Sequence, residues 1–284
     1  MNIGEALEAT PILSLDLDRY VKVSADESTG YAVRAMREVG QACACVVEAE
    51  KLVGVFTERD VLQRVIGREG SCSRPIRDAM TTTVRTIRST DSAADGLAVM
   101  ADWWVRNVPV LGGDGELVGN LSYYAIMETI ANVVAARLGD TTADRAIHQS
   151  LALVDFTGIN TSNPVTVGMK DTVDVAAHHM QVRSIGSVLV VDDREQLVGV
   201  FTEYDLMMLY GCERVDLSTI AMENAMTPDP VALSARSSIA EGIREMALRG
   251  FSHVPLTGES NRPVGVASFR DVAAYLELGL ETLG

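Results

Sequence analysis

The sequence has little positive charge for its size, and this shortage excludes one class of partner. Lys and Arg number 24 against 39 Asp and Glu, which gives a net charge of −15 over 284 residues. A surface that binds nucleic acid has to neutralise phosphates with clustered Lys and Arg. We therefore expect no nucleic-acid partner.

Long apolar runs are missing as well. A helix that spans a bilayer needs roughly 18 or more consecutive apolar residues, and no run in the chain approaches that length. The N-terminus, MNIGEALEATPILSLD, carries acids where a signal peptide needs bases. These two absences predict a cytoplasmic protein without a membrane span.

Cysteine and catalytic groupings are equally sparse. The four cysteines (Cys43, Cys45, Cys72 and Cys212) show neither metal-ligand spacing nor a disulfide framework, so we predict that all four are reduced packing residues. His178 and His179 are adjacent on a predicted helix and point about 100° apart, which does not suit a metal pair. No acidic pair has a nearby nucleophile, base or phosphate-binding loop, so an enzyme is the class we expect least.

The sequence does contain one phrase in four versions. VGVFTERDVL begins at Val53 and VGVFTEYDLM at Val198, and LVGNLSYYAI and PVGVASFRDV are weaker copies. Their hydroxyl residues are Thr57, Ser122, Thr202 and Ser268, with spacings of 65, 80 and 66 positions. Units one and two therefore form one pair, and units three and four another, as expected after duplication of a pair.

Each unit predicts the same order of elements. A short β run is followed by an amphipathic helix with a Ser- or Asp-type cap, then two strands joined by a turn, and a final helix. Gly40 and Gly250 stand where a helix C-terminus favours a left-handed residue. A β-α-β-β-α unit of this size leaves one sheet face to be covered by a neighbour.

This order and the Gly-φ-φ-[Ser/Thr]-x-x-Asp signature resemble the CBS domain. The signature is matched at 53–60, 198–205 and 264–271, and the strand starts Val108-Pro109 and Val254-Pro255 also fit. The resemblance implies an α+β fold of four β-α-β-β-α repeats, paired into two pseudo-twofold Bateman modules. We place the first module at 1–138, with repeats at about 14–67 and 76–131, and the second at 139–284, with repeats at about 157–211 and 220–278.

The family resemblance also implies adenosyl ligands, among them AMP, ADP, ATP and S-adenosylmethionine, bound in clefts between paired repeats. We therefore predict a non-catalytic regulatory protein that senses an adenine nucleotide as a regulatory ligand, with no obligatory cofactor. Since the repeats use up the chain, we expect the signal to reach an unidentified protein target in trans. We also expect a homodimer. Two alternatives stay open: a sensor of S-adenosylmethionine, and a ligand-free oligomerisation or interaction scaffold.

The candidate ligand-binding residues lie mostly in the repeated phrase. A short carboxylate at a helix start accepts both hydroxyls of a ribose, and the N–H groups and positive dipole end there favour a phosphate. Phosphates also need cations, and the resemblance places phosphate contacts just before the second strand of a repeat. The candidates are Thr57, Arg59, Asp60, Thr202, Asp205, Ser268, Arg270 and Asp271 from the phrase, with Arg106 and His253 from the strand starts.

A purely structural interpretation of the phrase competes with this one. A Ser or Thr followed three residues later by an acid is also a capping box, which satisfies two backbone donors and contributes about 1 kcal/mol. Two features favour a ligand: the preceding Gly brings bare backbone close to the site, and the acid is Asp where a capping box prefers Glu or Gln.

Repeat two departs from the pattern. Ala125 stands where the aspartate belongs, and Asn120 replaces the Val of the other copies. Because Ala cannot accept a hydroxyl hydrogen bond, we predict weak ribose binding or none in this repeat. The second module keeps both aspartates, Asp205 and Asp271, and we predict that it is the main nucleotide site.

Overall fold

The computed structural model describes residues 3–137, 154–159, 161, 163–212 and 215–282, without the side chains of 134–137 and 277–282. It contains four small sheets, one for each repeat, and confirms the predicted α+β architecture. In every repeat the first and second strands pair in parallel and the second and third are antiparallel. A helix connects the first two strands, because parallel neighbours require a crossover.

The elements follow the predicted order. Repeat one has strands Val21–Ser24, Cys43–Glu48 and Lys51–Thr57, and helices Thr29–Val39 and Glu58–Asp60, the latter continuing as a π-helical turn Val61–Val65. Repeat two has strands Ile87–Arg88, Asn107–Leu111 and Leu117–Ser122, and helices Ala93–Trp103 and Tyr123–Arg137. Repeat three has strands Thr166–Gly168, Ser187–Val191 and Leu197–Thr202, and helices Val173–Arg183 and Glu203–Tyr210. Repeat four has strands Leu233–Ser234, His253–Thr257 and Pro263–Ser268, and helices Ile239–Arg249 and Phe269–Thr282. A helix Ile3–Glu8 precedes repeat one, and strand Thr227–Pro228 adds a fourth strand to the third sheet.

Local chemistry sets the ends of the first helix in each repeat. The side chains of Ser28, Ser92 and Ser238 accept backbone hydrogen bonds at the helix N-termini, so three of these helices have the Ser-type cap that the sequence predicts. All four of these helices end on a residue with positive φ, namely Gly40, Trp104, Ser184 and Gly250. This left-handed ending satisfies carbonyls of the last turn.

The hydrophobic core joins repeats that are not consecutive. Buried side chains of repeats one and three form one cluster, which includes Phe56 and Phe201. Those of repeats two and four form another, which includes Leu97 and Phe269. Separated halves of the chain would expose both clusters, so every experiment below uses the full chain.

The sheets of consecutive repeats also meet. Leu189 and Leu197 of repeat three pack against Val266 of repeat four in a small cluster of their own. The predicted boundary at 138/139 lies outside the described residues. The division into modules 1–138 and 139–284 stays a prediction.

The cysteine prediction was half wrong. Cys43 and Cys45 are buried and free, as expected, but Cys72 and Cys212 form a disulfide across 140 positions. The bond ties repeat one to repeat three beside their shared core. Disulfides are rare in reducing compartments, so the cytoplasmic location stays a prediction. In the described part of the chain, no helix is long and apolar enough to cross a membrane.

Candidate functional site

The repeated phrase has the same geometry in repeats one, three and four. The aspartate folds back, and its Oδ2 accepts both the backbone N–H and the side-chain hydroxyl of the Ser or Thr three residues earlier. These distances are 2.8 and 3.0 Å for Asp60, 2.8 and 2.7 Å for Asp205, and 2.7 and 2.7 Å for Asp271. The phrase therefore does form a capping box. Whether the aspartate can also bind a ligand depends on its second carboxylate oxygen, Oδ1.

Asp60 has its second oxygen engaged. Oδ1 accepts a hydrogen bond from Thr81 Oγ1 at 3.2 Å and lies 3.2 Å from Nη1 of Arg64. The carboxylate is 7% exposed, and burial raises its pKa against the effect of these partners. Asp60 is thus a buried structural carboxylate whose accepting positions are already filled.

Asp205 and Asp271 leave the second oxygen open. Within the described residues, Oδ1 of either carboxylate has no hydrogen-bond partner. Both groups are partly buried, and burial raises the pKa of each. Each can still receive a hydroxyl from a ligand.

A cavity of about 550 Å³ opens onto one of these two aspartates. Thr202 and Asp205 line it from repeat three, and the entry segment of repeat four faces them with Thr227 and the stretch 229–231. Asp60 and Asp271 do not line this cavity in the described structure. Its size falls within the range of about 300–1,000 Å³ of small-molecule sites.

Arg106 lines the part of the cavity that also contains Glu58 and Glu203, here called the inner end, and it connects all four repeats. Its Nη2 donates to Glu58 of repeat one at 2.7 Å and to Glu203 of repeat three at 2.9 Å. Its Nη1 donates to Ser252 of repeat four at 2.8 Å. Burial opposes the charge of Arg106, but the two glutamates outweigh burial and raise the pKa of its guanidinium. Burial raises the pKa of Glu58 despite the opposing effect of Arg106.

The other predicted cations and the histidine surround Arg106. Nε of Arg59 lies 3.1 Å from Glu203 Oε1, and Arg59 also donates to the carbonyl of Ser184. Arg270 stands 5.6 Å from the ring centre of Trp104, and burial lowers the pKa of its guanidinium. The imidazole of His253 lies 3.0 Å from Ser252 Oγ, and burial together with the nearby arginines holds its pKa well below the usual value. His253 is therefore neutral at pH 7.

The predicted residues fall into two sets. Thr202, Asp205, Arg106 and His253 meet around the cavity, whereas Thr57, Arg59, Asp60, Ser268, Arg270 and Asp271 do not line it in the described structure. Sequence reasoning missed Glu58 and Glu203, the buried acids that hold Arg106. The signal was available, because Glu follows Thr at the same place in both copies of the phrase.

Repeat two lines the same cavity beside Arg106, because Asn107 follows Arg106 and pairs with Ser122. Ser122, Asn107 and Tyr124 line it together with Arg19, whose guanidinium carbon lies 4.8 Å from the ring centre of Tyr124. Ala125 supplies no carboxylate, and Asn120 is fully buried and donates to Asn107 Oδ1 at 2.9 Å. The described residues include no group of three or more His, Cys, Asp or Glu placed to hold a metal ion.

Comparison with known proteins gives a consistent assignment. A sequence profile of the CBS domain matches residues 15–67, 76–132, 156–211 and 220–278. Among solved structures, protein MJ1225 from Methanocaldococcus jannaschii aligns over 94% of this chain and 100% of its own, with a TM-score of 0.74 and 18% identity. At that identity the likeness shows the fold alone.

Two curated relatives cover much of the chain. The CBS domain-containing protein CBSCBSPB1 of Arabidopsis thaliana is 27% identical over 266 residues, which are 83% of this chain and 47% of its own. The meiotically up-regulated gene 70 protein of Schizosaccharomyces pombe is 22% identical over 318 residues, 93% of this chain and 43% of its own. The chain therefore spans less than half the length of these two relatives.

Proposed function

We propose that this chain, which belongs to the CBS domain family, is a regulatory protein that binds an adenine nucleotide in the cleft between repeats three and four. One observation carries the proposal: Asp205 lines the cavity and has an open carboxylate oxygen in the described structure. A carboxylate in this state accepts ribose hydroxyls. Apolar contacts for a base come from Val200, Val231 and Pro255, which line the same cavity.

The inner end of the cleft supports a 5′ phosphate. The helix Glu203–Tyr210 begins there, so its positive dipole end lies beside the cavity that Glu203, Tyr204 and Asp205 line. Arg106 also lies at this end and keeps N–H donors beyond those bound to Glu58, Glu203 and Ser252. An AMP with its ribose on Asp205 directs its phosphate toward these donors.

S-adenosylmethionine is the second candidate, because the same inner end is also acidic and aromatic. Glu58, Glu203, Tyr123 and Tyr204 line the cavity. A sulfonium is stabilised by carboxylates and by aromatic faces. The two candidates therefore share the ribose contact and differ in which inner group they use.

The response to a ligand follows from the fourfold connection at Arg106. A ligand between repeats three and four shifts an equilibrium only if it binds one arrangement of the repeats more tightly than another. Because Arg106 bonds to three other repeats, a change at the cleft reaches all four. We propose that a protein target in trans reads this change, and that the chain acts in the cytoplasm as a homodimer.

Thermal shift of the full chain tests the proposal. AMP, ADP, ATP and S-adenosylmethionine are added separately, with GMP as the control for the base. A ligand present at about 100 times its dissociation constant adds about 2.7 kcal/mol to the unfolding free energy. We expect stabilisation by at least one adenosyl ligand and none by GMP. No response to any of the four would contradict the proposal and favour a ligand-free scaffold.

A further inference from the structure

Repeat two keeps only the donors of a small hydrogen-bonding arrangement, here called the corner. In the other three repeats an aspartate of the same repeat supplies the acceptor. In repeats one, three and four, the N–H and hydroxyl of the phrase's Ser or Thr converge on one carboxylate oxygen at 2.7–3.0 Å. Ser122 holds the equivalent place, opposite Asn107, just as Thr202 stands opposite Ser187. With Ala125 in place of the aspartate, no carboxylate among the described residues accepts a hydrogen bond from the Ser122 hydroxyl.

The hydroxyl of Ser122 shows that the corner is left incomplete. The residue is 2% exposed, and its Oγ has no hydrogen-bond partner among the described residues. An unpaired buried hydroxyl is unfavourable, because it has lost its hydrogen bonds to water without gaining one in the protein. Ser122 also lines the 550 Å³ cavity, so a molecule in the cavity has access to it.

The surroundings define the charge of the missing group. The helix Tyr123–Arg137 starts directly after Ser122, which places the positive end of a 15-residue helix at the corner. Arg19 and Arg106 line the same cavity. In the three intact repeats the group that fills the corner is a carboxylate.

From these observations we propose that the Ser122 corner of repeat two binds the oxyanion of a small ligand, a carboxylate or a phosphate. The ligand's oxygen takes the position that the aspartate Oδ2 holds in the other repeats, and it accepts from the hydroxyl and the backbone N–H of Ser122, the donors that Thr57, Thr202 and Ser268 use there. Repeat two is then a second ligand site with a different specificity, and this inference does not depend on nucleotide binding at Asp205.

Two variants test the corner in the full chain. Ala125→Asp supplies an internal carboxylate and recreates the capping box of the other repeats, so it fills the corner. Ser122→Ala removes the hydroxyl donor and, because this buried hydroxyl is unpaired, does not lower the ligand-free melting temperature. Asp205→Asn is the matched control, because it removes the carboxylate with which repeat three lines the same cavity.

The probes are inorganic phosphate and acetate, each titrated by calorimetry and followed by thermal shift. The two anions distinguish a phosphate ligand from a carboxylate ligand. We expect at least one of them to bind the wild type and the Asp205→Asn variant alike. Ala125→Asp abolishes this binding, and Ser122→Ala weakens it about tenfold or more, because a hydrogen bond to a charged group is lost.

Unchanged anion affinity in either variant would overturn the proposal, since an anion held only by Arg19 or Arg106 is indifferent to Ser122 and Ala125. Absence of phosphate and acetate binding to the wild type would overturn it too. Neither result bears on Asp205, whose own test uses adenosyl ligands.

Discussion

Repeats one and three contain the same six letters, VGVFTE, and yet their aspartates have different surroundings. Both carboxylate oxygens of Asp60 have partners, because Oδ2 forms the cap and Oδ1 is bound by Thr81 and Arg64. Among the described residues Asp205 makes only its cap, and it lines a cavity. The motif alone therefore does not define a ligand site. The residues around the second oxygen decide whether the carboxylate serves the fold or a ligand.

The two repeats nevertheless share one anchor, and removing it has the largest expected effect. Arg106→Met leaves Glu58 and Glu203 buried without their common partner. Breaking a buried ion pair from one side costs about 3–5 kcal/mol. We expect a loss of this size in the unfolding free energy, measured by urea denaturation at pH 7.

The matched control for Arg106 removes the charges on both sides. The triple variant Arg106→Met, Glu58→Gln, Glu203→Gln carries no unpaired buried carboxylate in this cluster, so it recovers most of the loss. If Arg106→Met alone unfolds within about 1 kcal/mol of the wild type, the arginine does not anchor the repeats.

A smaller effect separates the two aspartates in the ligand-free protein. Asp60→Asn loses the ion pair with Arg64 and weakens the bond from Thr81, whereas Asp205→Asn disturbs only a cap. Arg64 is 40% exposed, so solvent screening reduces its contribution. We expect Asp60→Asn to lower the unfolding free energy by about 1–2 kcal/mol more than Asp205→Asn does. Equal losses in urea denaturation would show that the two carboxylates have the same structural role.

The pH dependence of binding sharpens the comparison further. Burial raises the pKa of Asp205 in the ligand-free protein, so lowering the pH protonates it earlier than an ordinary aspartate. Protonation of the carboxylate removes an acceptor for the ligand's hydroxyls. The affinity for the ligand therefore falls as the pH drops through this raised pKa, by at most about tenfold per pH unit. Adenosine is the suitable probe because it has no titrating phosphate. Asp205→Asn should bind adenosine weakly and with a flat pH profile between neutrality and pH 4.5, and a slope like that of the wild type would contradict the assignment.

The same shift predicts an opposite trend for ligand-free stability. A raised pKa means that the folded state holds the proton more tightly than the unfolded state does. The contribution of Asp205 to the unfolding free energy therefore becomes more favourable as the pH falls from the folded pKa toward the unfolded one. The ligand reverses this sign, because it requires the ionised carboxylate. Urea denaturation over this pH window, with and without adenosine, checks both directions.

Local patterns in the sequence predicted the repeats well. Each repeat was expected to contain a helix with a Ser- or Asp-type cap, and Ser28, Ser92 and Ser238 are such caps, since capping depends on neighbours within three residues. The repeat limits agree with the family profile to within a residue at every end. Such features are local, and one sequence is enough to find them.

Contacts between distant segments were not predictable in the same way. The spacing of Cys72 and Cys212 does not predict their disulfide, because the two residues meet only after repeats one and three pack together. Arg106 was expected as a phosphate ligand, but the structure adds two buried glutamates that already hold it. The open oxygen of Asp205 likewise depends on the distant residues that pack around the carboxylate. At Asp60 such a residue, Thr81, donates to the corresponding oxygen.

The most direct test of the central claim is the affinity of the full chain for AMP with and without the Asp205 carboxylate. A carboxylate that accepts ribose hydroxyls makes charge-assisted bonds worth about 1.5–3 kcal/mol, so Asp205→Asn should weaken AMP binding roughly 10- to 150-fold in calorimetry. Its ligand-free melting temperature should stay close to that of the wild type, and Asp60→Asn, the matched control, should keep the wild-type affinity for AMP. If Asp205→Asn binds AMP as tightly as the wild type, Asp205 is only a helix cap, like Asp60.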